Sequence, residues 1–186
     1  IELNTGTITG FEALLRWYHP PLGELPPSKI IDLAEQAGML TKIGDWAITQ
    51  SCKQLSTWHQ SGWPGLTVAV NLSHQQFIDP DLINTIVGAI SDYQVDPHCL
   101  QIEVTEATLM MDLNQTLAIL ETLKSVGLRL SIDDFGSGSP SLGALQKLPI
   151  DHLKIDRNFI DSIDQPTESS GVTTAIIAIA KSLGIE

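Results

Sequence analysis

The stretch Arg129-Leu-Ser-Ile-Asp-Asp-Phe-Gly-Ser-Gly138 places two adjacent carboxylates where a short apolar run meets a glycine-rich loop. A strand buried on both faces of a parallel sheet reads as a continuous aliphatic run, so residues 128–132 predict such a strand. Asp133 and Asp134 follow at its carboxyl end, the edge at which α/β folds assemble their sites. Neighbouring carboxylates repel each other unless a cation lies between them. The pair therefore indicates a site for one or two divalent metal ions.

A simpler interpretation of the same stretch stays open at this point. Aspartates often cap a helix or begin a turn, because their oxygens accept backbone N–H bonds and a following glycine permits positive φ. The loop 136–141 resembles a phosphate cradle, but it lacks the third glycine of a dinucleotide fingerprint and the Gly-Lys-Ser/Thr of a P-loop. As a nucleotide motif the loop is weak.

Length and composition predict one folded domain over residues 1–186. The chain is 42% hydrophobic, enough for one sizeable core. Its longest aliphatic run, 175–180, is far too short to cross a bilayer. Cys52 and Cys99 are isolated in the sequence, so neither a disulfide framework nor a zinc site is indicated, and a reducing cytosol fits. The abrupt start at Ile1-Glu-Leu predicts an internal fragment of a longer protein.

The net charge of −12 argues against a broad surface for DNA, RNA or anionic membranes. Such surfaces need basic patches that release the counterions of phosphate groups. Only ten lysines and arginines are available. A phosphate ligand must therefore be bound locally, by metal ions or by a few well-placed cations.

Strand and helix patterns alternate five times along the chain, which predicts a parallel sheet with helical crossovers. A helix is expected to begin with Ser28 as its cap, and Asp112 is expected to cap another that ends at Gly127. Residues 5–17 predict a turn followed by a strand, and the other predicted strands cover residues 66–73, 99–106, 128–132 and 152–156. Their spacing favours a TIM-type (β/α)8 barrel, which typically takes about 250 residues. We expect about five of the eight strands here, with one missing before Ile1 and two after Glu186.

Each predicted strand carries one polar residue near its carboxyl end. Alone, each has an ordinary explanation: an exposed strand residue, a turn former, a surface charge or a salt-bridge partner. Together they predict a ring at one end of the barrel, rich in the oxygen ligands that suit Mg²⁺ or Mn²⁺. The members are Glu12, Asn71, Glu103, Asp133 and Lys154.

These positions lie in motifs that together resemble the EAL domain, a family of cyclic di-GMP-specific phosphodiesterases with a TIM-type barrel fold. The motifs occur in the family's order and span essentially the whole chain. They are Glu12-Ala-Leu14 within Gly-Phe-Glu-Ala-Leu-Leu-Arg-Trp, Asn71-Leu-Ser73, Glu103-Val-Thr-Glu106, Asp133-Asp-Phe-Gly136 and Lys154-Ile-Asp156.

The resemblance implies a role for each matching residue. It implies that one metal is held by Glu12, Asn71, Glu103 and Asp133, and that Asp133 and Asp134 contribute to a second. Glu12, Asp133 and Lys154 would be catalytic, with Lys154 positioning the attacking water. Arg16 resembles the arginine that grips a substrate phosphate, and Leu15 and Asp156 would also contact the substrate. Glu106 resembles the glutamate that anchors the glycine-rich loop.

The activity that the resemblance implies is two-metal hydrolysis of cyclic di-GMP to linear pGpG in bacterial signalling. The loop departs from the family's usual Asp-Asp-Phe-Gly-Thr-Gly-Tyr-Ser-Ser-Leu at Ser137, Ser139 and Pro140, and proline restricts its geometry. The family's Glu-Gly-Val-Glu segment and a later glutamine are expected after Glu186, so the fragment alone should be inactive. The alternative is a degenerate EAL module that binds cyclic di-GMP, or a protein partner, without hydrolysis. A barrel enzyme for another substrate is a third hypothesis.

The family resemblance also carries expectations about partners and location. It implies a homodimer formed near the loop after Asp134, and flanking sensor or cyclase domains in the whole protein. It implies a cytoplasmic domain even where the whole protein is anchored in a membrane. No DNA or RNA partner is expected.

Overall fold

The computed structural model describes residues 1–136, 142–160 and 168–186. The chain divides into two compact units, Ile1–Ile102 and Glu103–Glu186. Within the described ranges, no helix combines the length and the apolar character that crossing a membrane would require.

Strands and helices alternate along both units. The strands are β1 Gly10–Ala13, β2 Trp17–His19, β3 Gly23–Leu25, β4 Thr67–Asn71, β5 Leu100–Thr105, β6 Arg129–Phe135 and β7 His152–Ile155. The helices are α1 Pro27–Gln36, α2 Leu40–Gln60, α3 His74–Phe77, α4 Leu82–Tyr93, α5 Glu106–Met111, α6 Leu113–Val126, α7 Leu142–Leu145, α8 Arg157–Ile160 and α9 Glu168–Leu183. A 3-10 turn, Pro97–Cys99, precedes β5.

Strands β1, β4, β5, β6 and β7 follow one another in this order in one sheet. β1 pairs with β4 in parallel, and β6 pairs with β7 in parallel. Four of the six residues of β5 are buried, without strict alternation, as expected for a strand covered on both faces. The predicted alternation of strands and helices is therefore confirmed.

The prediction that one strand follows the turn within residues 5–17 and continues to the prolines is wrong. β1 ends at Ala13, and β2 and β3 form a separate antiparallel hairpin in which Tyr18 lies opposite Glu24. Pro20 and Pro21 lie in the hairpin loop, where their fixed φ favours a turn, and Gly23 follows with a φ of +74°. The prolines end one strand and connect it to another.

The helices α1 and α2 supply much of the core of the first unit. The predicted cap at Ser28 is wrong, because α1 begins at Pro27 after an extended Pro26, and proline at the first helical position is preorganised for a helix. The longer α2 buries Ile48, Cys52 and Leu55 completely, as its apolar pattern predicts.

In the second unit, β6 packs beside α6. Asp112 caps α6 as predicted, accepting hydrogen bonds from the backbone N–H groups of Asn114 and Gln115 at 3.1 Å each. The helix ends at Gly127, whose φ of +98° suits the left-handed C-terminal position. β6 extends to Phe135, beyond the predicted end at residue 132. Its register against β7 shifts between Ile132 and Phe135.

Candidate functional site

In the first unit, two predicted ring members meet at the carboxyl ends of β1 and β4. Glu12 lies opposite Ala69, and Asn71 follows two residues later on the same face of β4. The amide Nδ2 of Asn71 donates a 2.7 Å hydrogen bond to Oε1 of Glu12. Both residues are exposed, so their polar groups are accessible to a ligand.

In the second unit, Lys154 of β7 contacts two predicted ring members. Its Nζ lies 2.6 Å from Oε2 of Glu103 and 3.2 Å from Oδ1 of Asp133. Because β6 and β7 pair in parallel, their carboxyl ends lie at the same edge of the sheet. The strands therefore hold a carboxylate–ammonium–carboxylate cluster at the edge where α/β folds carry their chemistry.

Glu103 is the most buried acidic side chain of this cluster, at 2% exposure. The interpretation of Glu103 as a surface charge is therefore wrong. Desolvation of a carboxylate costs several kcal/mol, and a close cation offsets that cost. Lys154 is only partly buried, at 34% exposure, so one end of the ion pair lies near solvent.

Asp133 and Asp134 lie inside β6, at its irregular end. Ile132 pairs with Leu153 and Phe135 pairs with Ile155, so β6 has one more residue than β7 across this interval, the count of a β-bulge. Asp134 has a φ of +54°, a left-handed conformation that aspartate tolerates better than most residues. Asp133 is half-buried and Asp134 exposed. At the bulge, the carboxylate of Asp133 is therefore partly covered while that of the next residue, Asp134, faces solvent.

The prediction that Glu106 lies in a strand is wrong, because Glu106 is the first residue of α5. The hydroxyl of Thr105 accepts a hydrogen bond from Thr108 N and so ends β5 by capping the helix. Glu106 is 3% exposed, and its Oε2 accepts a 3.0 Å hydrogen bond from the backbone N–H of Gly136. This hydrogen bond connects the start of α5 to Gly136, the residue that directly follows β6.

The predicted substrate-binding residues lie at three places. Leu15 is half-buried after β1, and its carbonyl accepts a 2.9 Å bond from Nη1 of Arg16. Arg16 also lies 3.8 Å from the carboxylate of Glu24 on β3, a contact that sequence reasoning missed because it depends on hairpin pairing. Asp156 follows β7 and accepts a bond from Asn158 N in α8.

The predicted metal ligands are all oxygen donors from carboxylate or amide side chains. Where the structure describes the chain, no three His, Cys, Asp or Glu side chains converge closely enough to hold an ion. The cation that Glu103 and Asp133 share is the Lys154 ammonium. Carboxylate and amide oxygens nevertheless suit Mg²⁺ or Mn²⁺, so the residue types fit such an ion. The departures at Ser137, Ser139 and Pro140 lie outside the described residues.

A model of the EAL domain family matches residues 1–186 of the chain. The chain belongs to the EAL domain family. Among curated relatives, it is 39% identical over 181 residues to the bifunctional diguanylate cyclase/cyclic di-GMP phosphodiesterase MucR of Pseudomonas aeruginosa, covering 97% of this chain and 26% of the relative. It is 38% identical over 186 residues to the cyclic di-GMP phosphodiesterase NbdA of the same species, covering 100% of this chain and 24% of NbdA. This EAL chain thus spans about a quarter of those proteins.

Solved structures of EAL proteins have the same fold. The MucR phosphodiesterase in complex with c-di-GMP superimposes with a TM-score of 0.90 at 39% identity, covering 94% of this chain and 70% of that one. The EAL domain of FimX from Pseudomonas aeruginosa bound to c-di-GMP gives a TM-score of 0.84 at 27% identity, with coverages of 97% and 72%. The predicted α/β class, an incomplete TIM-type barrel with about five parallel strands, is confirmed.

Proposed function

We propose that this EAL domain forms the catalytic core of a phosphodiesterase that hydrolyses cyclic di-GMP to linear pGpG. The observation that carries the proposal is the cluster in which Lys154 contacts the buried carboxylate of Glu103 and the carboxylate of Asp133. Supporting it are relatives whose names state the same activity and solved EAL structures that contain the dinucleotide.

Phosphodiesterases of this family depend on metal ions, and we propose that two ions, Mg²⁺ or Mn²⁺, serve here. When bound, such ions activate water and stabilise the charge that develops on phosphate oxygens and the leaving oxygen. The proposed ligands are the oxygen donors at the carboxyl ends of β1, β4, β5 and β6. They are Glu12, Asn71, Glu103, Asp133 and Asp134.

The protein's own cations have separate proposed roles. The Lys154 ammonium would orient the attacking water and stabilise its developing negative charge. Arg16, which is exposed, would bind a non-bridging phosphate oxygen, since a guanidinium forms paired hydrogen bonds with phosphate. Leu15 and Asp156 would contact other parts of the substrate. Water adds to phosphorus, the bond from phosphorus to the 3′ oxygen breaks, and that oxygen takes a proton.

The test is hydrolysis of cyclic di-GMP by the whole protein with Mg²⁺ or Mn²⁺, followed by chromatography. Glu12→Gln should lower kcat at least about 100-fold, since it removes a proposed metal ligand. Glu35→Gln neutralises an exposed carboxylate of α1 and serves as the matched control with unchanged activity. A chelator should stop turnover, and added metal should restore it.

A folded, metal-supplemented protein that binds cyclic di-GMP but yields no pGpG would overturn the enzyme assignment. It would instead support the alternative of a catalytically degenerate receptor. Turnover that Glu12→Gln leaves intact would contradict the proposed ligand set while preserving the activity.

We further propose that residues 1–186 act as one EAL-type barrel domain of a larger cytoplasmic or membrane-anchored protein, lacking the first strand and the carboxyl-terminal strands of the barrel. Flanking sensor or cyclase domains and a homodimer near the loop after Asp134 are part of this proposal. The bifunctional name of MucR supports the presence of a cyclase domain. Sedimentation of the whole protein, with and without cyclic di-GMP, tests the dimer.

A further inference from the structure

Gln76 lies five residues after the proposed ligand Asn71 and is almost completely buried. It is 3% exposed, although glutamine is usually a surface residue. Asn71 ends β4, and only Leu72 and Ser73 separate this strand from α3, the short helix that contains Gln76. Leu72 is buried, whereas Asn71 is exposed. The direction of the Asn71 side chain therefore depends on how the turn into α3 is held.

Gln76 and Ser73 hold this turn by a reciprocal capping box. The hydroxyl of Ser73 accepts a 3.3 Å hydrogen bond from the backbone N–H of Gln76. In return, Oε1 of Gln76 accepts hydrogen bonds from the backbone N–H of Ser73 at 3.5 Å and from its hydroxyl at 3.4 Å. All three hydrogen bonds are long, so the box alone restrains the turn only weakly.

Helix α2 supplies a second restraint on the Gln76 side chain. Gly44 of α2 is buried, and a Cβ added at this position would overlap the Nε2, Cδ and Oε1 atoms of Gln76. The amide group of Gln76 therefore occupies the space that any side chain at position 44 would need, and glycine allows this close approach to the helix backbone. The turn after β4 is thus connected to α2 through one side chain.

The amide nitrogen of Gln76 is not fully used by this packing. Nε2 is buried and completes no hydrogen bond within the described part of the chain, which destabilises the folded state. Burial raises the pKa of the Asp45 carboxyl, Asp79 raises it further and the Gln76 amide opposes the rise, so Asp45 and Gln76 are close. Methionine has a similar volume and no buried donor, so packing alone does not account for a glutamine here. Its oxygen, which reaches Ser73, does.

We infer that Gln76 is a positioning residue for Asn71: packed against Gly44, it fixes the turn after β4 in the conformation that directs the Asn71 amide towards Glu12. The 2.7 Å hydrogen bond from Nδ2 of Asn71 to Oε1 of Glu12 is the arrangement that it maintains. Asparagine binds a cation through Oδ1, and this bond determines which way round the amide lies. The inference rests on the proposed function and adds to it a residue that acts through a ligand.

The test measures Mn²⁺ binding to the whole protein by electron paramagnetic resonance, without substrate, beside urea unfolding. Gln76→Met should weaken Mn²⁺ binding about 10- to 100-fold, the usual effect of replacing a residue that orients a metal ligand. The urea midpoint should move little, because the variant loses a cap but also removes an unpaired buried donor. Its kcat at saturating Mn²⁺ should approach the wild-type value, because the ligands themselves are intact.

Gln76→Glu should give the reverse pattern. Glutamate keeps an oxygen for the backbone N–H of Ser73, as in the usual capping box, so Mn²⁺ should bind nearly as tightly as in the wild type. A second carboxylate close to Asp45 should nevertheless lower the urea midpoint. A side chain that only supported the fold would change stability and metal affinity together.

Two control variants accompany these measurements. Gln75→Met makes the same replacement at the neighbouring, exposed residue of α3 and should leave Mn²⁺ affinity unchanged. Asp112→Ala removes the cap of α6, a helix that carries no proposed ligand, and should lower the urea midpoint at wild-type Mn²⁺ affinity. Ser73→Ala removes the other half of the capping box, should weaken Mn²⁺ binding, and replaces Gln76→Met in the test if that variant does not fold.

The outcomes separate the inference from the proposed function. Wild-type Mn²⁺ affinity in folded Gln76→Met, or an equal loss of affinity in Gln75→Met, would overturn the inference. If the wild type binds Mn²⁺ but yields no pGpG, the proposed hydrolysis is wrong, and the Mn²⁺ affinities of the variants still decide the role of Gln76. If the wild type binds no Mn²⁺, both the proposed metal site and the inference are wrong.

Discussion

Lys154 Nζ lies 2.6 Å from Oε2 of Glu103, a carboxylate whose side chain is only 2% exposed. Strand β7, which lies two places from β5 in the sheet, thus supplies the charge that makes burial of this carboxylate tolerable. An ion pair of this kind contributes to stability and, in the proposed enzyme, to catalysis. The two contributions can be separated by substitution.

Replacing Lys154 with methionine should remove turnover and lower the free energy of unfolding by about 1–3 kcal/mol, because Glu103 stays buried without its cation. The double variant Lys154→Met with Glu103→Gln should recover part of the lost stability, because the buried side chain is then neutral, but it should recover no activity. Urea unfolding and the pGpG assay measure the two effects. Lys124→Met is the control: it breaks the partly exposed ion pair with Asp151, costs about 0.5–1 kcal/mol and preserves turnover. Equal destabilisation by both single variants would contradict this account of Glu103.

Gly136→Ala should destabilise the protein by about 1–3 kcal/mol. The φ of Gly136 is +101°, and an added Cβ would lie 2.8 Å from Cε2 of Phe159 and 3.2 Å from Cδ1 of Ile176. The substitution should also weaken the backbone bond to Glu106 and lower kcat. Gly143→Ala in α7 is the control, since an added Cβ meets no atom within 4 Å and alanine favours a helix. Thermal unfolding measures the melting temperatures of the two variants. Equal melting temperatures would refute the predicted destabilisation by Gly136→Ala.

Stability should decrease on acidification partly through His152. Burial, the largest influence, lowers the pKa of His152 below its ordinary 6.5, although the Glu186 carboxylate opposes the shift. The unfolded chain therefore binds the extra proton first, and the contribution present above pH 6.5 is lost as pH falls towards the folded-state pKa. The slope contributed by this one group is at most about 1.4 kcal/mol per pH unit. His152→Gln should flatten the pH dependence of the urea midpoint between pH 7.5 and 5, and an unchanged profile would exclude this role.

The two thiols should differ sharply in reactivity. Cys52 is completely buried in α2, and burial raises its pKa to about 11, whereas Cys99 is half-exposed. The thiolate is the reactive form, so iodoacetamide at pH 8 should label Cys99 and leave Cys52 unmodified until the protein unfolds. Mass spectrometry of the peptides that contain each cysteine reads out the order. Early labelling of Cys52 in the folded protein would show that α2 opens locally.

Patterns of local origin were predictable from the sequence. Apolar periodicity identified α2, and an aspartate followed by a glycine one helix length later identified both ends of α6. The polar residues at strand ends also followed from spacing, because a regular βα unit places equivalent positions at the same edge of the sheet. The contacts of Lys154 with Glu103 and Asp133 occur at that edge, whereas their role in metal binding stays a prediction.

Features that depend on pairing were not predictable in the same way. The hairpin β2–β3 was missed because the two prolines were interpreted as the end of a strand, and the contact between Arg16 and Glu24 exists only through that hairpin. The helix α5 was missed because its threonine cap continues a β-branched strand pattern without a break. Such breaks in a strand pattern are difficult to predict because the amino-acid types on either side of the break are similar.

The extra residue of β6 between Ile132 and Phe135 distinguishes what the sheet requires from what the proposed metal site requires. A sheet gains nothing from the additional residue between Ile132 and Phe135, and a non-glycine residue in a left-handed conformation costs about 1–2 kcal/mol. Deleting Asp134 would let β6 pair evenly with β7, and the sheet would lose an irregularity together with a proposed ligand. The sheet pairing does not require this residue, whereas the proposed metal site does. We therefore expect the protein without Asp134 to fold at least as stably as the wild type and to lose the proposed hydrolysis of cyclic di-GMP.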